Sequence, residues 1–198
     1  MDARRAAYAA TGAMLGVALV ANAALRNDLW FWYTCIGTGA YLVFLGLVRH
    51  RRLAPPPRAV AMGGVAAGLH YVGGSLSGVH WIGGPNGLYA AFPWWDNVVH
   101  ALGAGAVAVI AAAALAGTVP RPALRAFLAV TVAVFFGVVV ELYEFAMFVL
   151  FGTVDQGFYT NNLLDLYDNL LGATLAAGLY VAAEEVALAA EATDPGPA

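Results

Sequence analysis

Six apolar runs, most of them about 20 residues long, dominate this 198-residue chain, and a helix of that length crosses a hydrocarbon core about 30 Å thick. They cover about 6–25, 29–48, 59–78, 96–116, 124–151 and 162–183. In lipid every backbone N–H and C=O must find its partner within the protein, so runs of this kind fold as helices. The expected fold is therefore all-α: a polytopic membrane helix bundle with about six transmembrane helices. Residues 1–185 are expected to form a single transmembrane helical domain, and the acidic, Pro- and Gly-containing stretch 186–198 a disordered tail.

Composition agrees. Of the residues, 62% are hydrophobic and 11% charged, whereas a soluble domain carries about 25% charged residues. A net charge of -3 offers no basic surface, which argues against nucleic acid as a partner. Cys35 is the only cysteine, so an internal disulfide and a thiolate metal cluster are both excluded. It reads as a small buried hydrophobe. The first run, preceded by Arg4 and Arg5, has the look of a secretory signal. No convincing small-residue cleavage site separates it from the second run, so a retained span is expected.

The chain has no lysine, and its nine basic residues are all arginine. With six spans, Arg4, Arg5, Arg49, Arg51, Arg52, Arg58, Arg121 and Arg125 fall on one side, leaving Arg26 alone on the other. The positive-inside rule then puts both termini in the cytoplasm, with the 79–95 loop and the 152–161 turn outside. Trp30, Trp32, Trp81, Trp94 and Trp95 all map near the opposite interface, where indoles are enriched. Gly12/Gly16, Gly64/Gly68 and Gly74/Gly78 are small-xxx-small pairs that let helices approach closely, within the chain or in an oligomer.

Against this background the acids stand out. Asp96 and His100 share a face at i,i+4, Glu141 and Glu144 at i,i+3, and Asp165, Asp168 and Asn169 at i, i+3 and i+4. His70 lies near the middle of the third run. With the topology above, all these groups except His70 occupy the outer half of the bilayer, Glu141 deepest. A charge at mid-bilayer costs about 3 kcal/mol on insertion scales, so each should face protein or water. Asp96 has a simpler reading as a cap on the fourth helix, and His70 and His100 as structural histidines. Glu141, far from any helix end, has none.

The acids cannot all be ionised together without shared protons or a cation. Carboxylates with a histidine suit a divalent ion such as Mg²⁺, Mn²⁺, Fe²⁺ or Zn²⁺. The candidate ligand set is Asp96, His100, Glu141, Glu144, Asp165 and Asp168, with His100 and Glu141 as candidate proton-handling catalytic groups and His70 and Asn169 as further polar members. No HExxH, G-x-S-x-G or P-loop signature is present.

The order Asp96-x-x-x-His100, Glu141-x-x-Glu144, Asp165-x-x-Asp168-Asn169-x-x-Gly172 resembles the YjdF-like bacterial inner-membrane proteins and the wider VanZ-like group. The likeness covers about 94–183. It implies a small multi-pass protein of the cell membrane with unassigned biochemistry. VanZ-like proteins are associated with glycopeptide resistance, but they usually carry glutamine at the position of Glu144 and an arginine before the last motif. Here an acid and the pair Asn161-Asn162 stand in those places, and that role is not carried over.

Three function classes stay open on the sequence. The first is metal-dependent chemistry on a lipid or lipid-linked envelope substrate, with the bilayer and a lipid-like ligand as partners. The second is a cation- or proton-coupled transporter, and the third a non-catalytic scaffold or interaction subunit. The almost purely apolar cytoplasmic halves of the last three spans favour the first.

Overall fold

The computed structural model describes residues 3–50, 52–76, 87–152 and 159–193, and among them there are helices and no strand. The six long helices are α1 (Ala3–Ala24), α2 (Asp28–Arg49), α3 (Pro57–Ser75), α5 (Trp95–Leu115), α6 (Pro122–Phe151) and α7 (Tyr159–Thr193); a single turn, α4 (Leu88–Ala91), precedes α5. Among the described residues, five of these helices, all but α3, are long and apolar enough to cross a membrane. The exception is rich in glycine and carries His70 and Tyr71, which lower its hydropathy, yet it packs between α1 and α5.

Helix ends follow local chemistry. Pro57 and Pro122 open α3 and α6, where a missing N–H costs nothing. Gly152 closes α6 with φ 66° and donates its N–H to the Phe148 carbonyl, a left-handed stop that favours glycine. α7 runs to Thr193, so residues 186–193 are helical where the sequence reading expected a disordered tail. The segment is mostly alanine with one leucine and one glutamate, all strong helix formers, and the Pro and Gly that point to disorder lie beyond it at 195–197. The rest of that tail, 194–198, lies outside the described residues.

The chain runs up and down. Tyr41 of α2 donates to the Tyr8 carbonyl of α1, Trp95 of α5 to the Leu69 carbonyl of α3, and Arg125 of α6 to Glu184 of α7. Two three-helix groups result, α1–α2–α3 and α5–α6–α7, joined where α3 lies against α5. The core is built from small residues: Ala104, Ala108 and Ala112 of α5 meet Ala129 and Ala133 of α6 and Ala173 and Ala177 of α7. Each set recurs at i,i+4, which gives a narrow stripe for close backbone packing. Large side chains point outward instead, among them Phe127, Phe135, Phe145 and Leu179.

Several glycines are spoken for inside the chain. Gly64 and Gly68 receive Thr11 and Met14 of α1, and Gly74 receives the Trp30 indole. Gly16 is open, and Gly78 lies outside the described residues. Trp32 and Trp94 are exposed as an interfacial belt requires, whereas Trp30 is buried and the Trp95 Nε1 is used within the fold. Trp81 and the first half of the 79–95 loop, 79–86, are outside the described residues, as are 153–158 of the 152–161 turn.

Candidate functional site: a carboxylate–histidine cluster between two cavities

Asp96 and His100 stand one turn apart at the start of α5. The N-cap position of that helix is Trp94, and no side chain makes a capping bond there, so Asp96 is not a cap. Its carboxylate instead lies 3.5 Å from His100 Nε2 and accepts from Asn161 Nδ2 at 3.3 Å. The same Asn161 amide donates to Asp165 Oδ2 at 2.6 Å, and Asp165 Oδ1 is 3.9 Å from His100 Nε2. Asn161 thus holds the two carboxylates on the Nε2 edge of the ring. Ligand atoms of Asp96, His100 and Asp165 all lie within 4.8 Å of one another.

The other edge of the imidazole belongs to α6 and α7. Glu141 Oε1 approaches Nδ1 at 3.9 Å, and Asn169 Nδ2 stands 3.2 Å from it. Asn169 reaches this place because Gly137 has no side chain; a Cβ there would strike the Asn169 amide. Close packing of α5 and α7 rests on Gly172 in the same way, because its missing Cβ would fall on the Ala101 backbone. Asp165, at 1% exposure, and Asn169, at 3%, are deeply buried, as are His100 and Glu141.

The sequence-predicted set therefore divides. Asp96, His100 and Asp165 come together on one edge of the ring, and Glu141 and Asn169 stand on the other. Glu144 faces elsewhere and forms no hydrogen bond among the described residues. Asp168 turns aside to accept from Asn97 Nδ2 at 2.5 Å. His70 shares a hydrogen bond of 2.6 Å between Nδ1 and the Tyr89 hydroxyl.

Two cavities flank the cluster. One, of about 520 Å³, is walled by Trp30, Tyr33, Tyr71, Tyr89 and Tyr143 and edged by Asp96, Glu144 and Asn161. The second, of about 470 Å³, runs toward the arginine-bearing end past Tyr41, Phe44, Ala59 and Val60, with His100 and Asn169 in its wall. His70, Tyr71, Val140 and Glu144 line both, so the two adjoin.

Sequence reasoning passed over the amide clamps. Asn161 sits at i,i+4 from Asp165 and Asn97 beside Asp96, spacings that could have marked them. It also missed a polar cluster at the opposite end, where buried Arg125 Nη2 donates to Glu184 Oε2 at 2.8 Å and the Arg58 guanidinium lies 4.7 Å over the Tyr180 ring.

Residues 7–185 match the model of a family described as "Predicted membrane protein (DUF2238)". The chain belongs to that family. No curated protein and no solved structure matches the chain. Family and fold agree on a membrane protein with several apolar helices, while the YjdF-like and VanZ-like likeness continues to rest on its motifs.

Proposed function

We propose that this protein is a multi-pass protein of the cell membrane, both termini cytoplasmic, whose carboxylate–histidine cluster binds a divalent metal ion and acts on a lipid or lipid-linked substrate entering from the outer half of the bilayer. The observation that carries the reading is the meeting of Asp96, His100 and Asp165 beside the two adjoining cavities. Two donors each about 2.1 Å from a tetrahedral ion stand about 3.4 Å apart. The 3.5 and 3.9 Å separations at Nε2 need only a small contraction to reach that spacing.

For Nε2 to ligate, it must carry no proton, so Nδ1 must donate. A half-turn of the Asn169 amide presents its oxygen to Nδ1–H, and Glu141 on that same edge can accept in its place. Such an ion would polarise an ester or phosphoester oxygen and activate water. Glu141, on the far edge of the ring, orients His100 rather than holding the ion. This departs from the sequence reading, which placed Glu141 among the ligands.

An amphiphilic substrate is favoured over ion transport because the second cavity, which continues toward the cytoplasmic end, is apolar where a permeating ion would need polar partners. Metal analysis of protein purified in mild detergent tests the reading. Wild type should retain one divalent ion per chain, Asp165→Asn should lose it, and Glu141→Gln should keep it. A folded wild type that takes up no divalent ion when offered one refutes the metal centre.

A further inference from the structure

We infer that the aromatic cavity is a recognition site for an ammonium group, and that its ligand is a membrane amphiphile lying with its cationic head there and its chain in the adjoining apolar cavity. This names the substrate class of the proposed function and rests on that reading for any chemistry, but binding itself requires no metal.

The walls supply the first reason. Trp30 and Tyr89 are stacked with centroids 5.8 Å apart, Tyr33 meets Trp30 edge-on at 5.5 Å, and Tyr143 meets Tyr33 at 5.8 Å. With Tyr71 they surround a space of about 520 Å³. Aromatic faces attract a cation through the ring quadrupole, and a ring of them is how proteins hold alkylated ammonium ions. Trp30 is fixed in this wall because Gly74 leaves room for its indole.

Charge supplies the second. Asp96 and Glu144 edge the cavity, and among its lining residues there is no arginine. Asp96 already has Asn161 and His100 as partners. Glu144, half-buried, has no hydrogen-bond donor among the described residues, and in its ionised form it would be completed by a cation.

Access supplies the third. α2 packs mainly on α1 and α3, and the Tyr33–Tyr143 ring contact is where it meets α6. An amphiphile can enter sideways between α2 and α6. Its chain then lies along Tyr41, Phe44 and Val60 while its head stays by Glu144.

The test uses the full chain in a non-ionic detergent, stripped of metal with EDTA and incubated with equal amounts of chain-matched phosphatidylcholine and phosphatidylglycerol. Native mass spectrometry then counts the retained lipid. Wild type should favour phosphatidylcholine by about tenfold, which falls between the worth of an exposed and of a fully desolvated cation–π contact. Glu144→Gln removes the charge and Tyr143→Leu removes one ring at a half-buried position; each should cut the preference to about threefold or less. Equal retention of the two lipids, or a preference untouched by both variants, overturns the inference. Tetramethylammonium chloride is the second arm: if it binds with a Kd within tenfold of the lipid's, the ligand is a free ammonium ion and the amphiphile is wrong. A preserved preference in protein that takes up no metal would refute only the metal centre.

Discussion

Replacing Gly172 by alanine should separate α5 from α7 and dismantle the cluster between them. The added Cβ would fall on the carbonyl group and Cα of Ala101, and a backbone cannot rotate away as a side chain can. Restoring ordinary carbon–oxygen contact moves the helices apart by on the order of 1 Å. Overpacking of a close interface costs about 1–3 kcal/mol, and a backbone obstacle puts this substitution near the upper end, about 3 kcal/mol. Gly178, on the same helix, has nothing within 4 Å of its would-be Cβ. There alanine should be neutral or stabilising by about 0.5–1 kcal/mol, because only the backbone freedom of glycine is lost. The assay is unfolding of both variants in mixed dodecyl maltoside–SDS micelles, followed by helical ellipticity. Gly172→Ala should also lose bound metal, since Asp165 and Asn161 ride on the displaced helix. If the two variants unfold within 0.5 kcal/mol of each other, on the order of the scatter among surface substitutions, backbone-to-backbone packing is not what holds α5 and α7 together.

Two further outcomes are expected. With Cys35 replaced by alanine, an impermeant maleimide applied to intact cells should label Tyr159→Cys, whose parent residue is 79% exposed, and spare Arg52→Cys; the reverse pattern inverts the proposed orientation. Arg125→Leu should cost about 1–2 kcal/mol, less than a fully buried pair because Glu184 remains partly exposed, and the Arg125→Leu/Glu184→Leu double variant should recover most of it; additive losses of the two Leu variants in the double-mutant cycle would deny the pair any coupling.

The spans were legible because hydropathy reads directly on a requirement of the solvent, that about 20 residues stay apolar. Where polar residues interrupt a helix, that signal fades, as in the glycine-rich α3 and in the last turns of α7. The convergence of Asp96, His100, Glu141 and Asp165 was legible as well, since i,i+3 and i,i+4 spacing on consecutive helices leaves few other ways to shelter them. The division among them was not. Residues three apart on a helix differ by about 60° around its axis. That rotation sends Asp168 to Asn97 while Asp165 meets His100, and it sends Glu144 into the cavities while Glu141 meets the Nδ1 edge. Which edge of an imidazole faces which neighbour depends on side-chain torsions that spacing does not encode. The aromatic cavity was beyond reach for another reason: its rings come from α2, α3, α4 and α6, and only tertiary packing gathers them.

The two amides that complete the cluster, Asn161 and Asn169, both belong to the final helix. During synthesis, α5 and α6 emerge first, carrying Asp96, His100, Glu141 and Glu144 with none of the α7 groups that later surround them. Until α7 arrives, Asp96, His100 and Glu141 have only one another, and the side of the cluster that Asp165, Asn161 and Asn169 later cover would face hydrocarbon. Stable insertion of α5 and α6 is thereby tied to α7, the partner that is translated last, with α3 the other helix that packs on α5. A nascent chain halted before residue 161 would leave Asp96 and His100 without Asn161, Asp165 and Asn169, so the layout that builds the site leaves an unfinished molecule with its acids only partly sheltered.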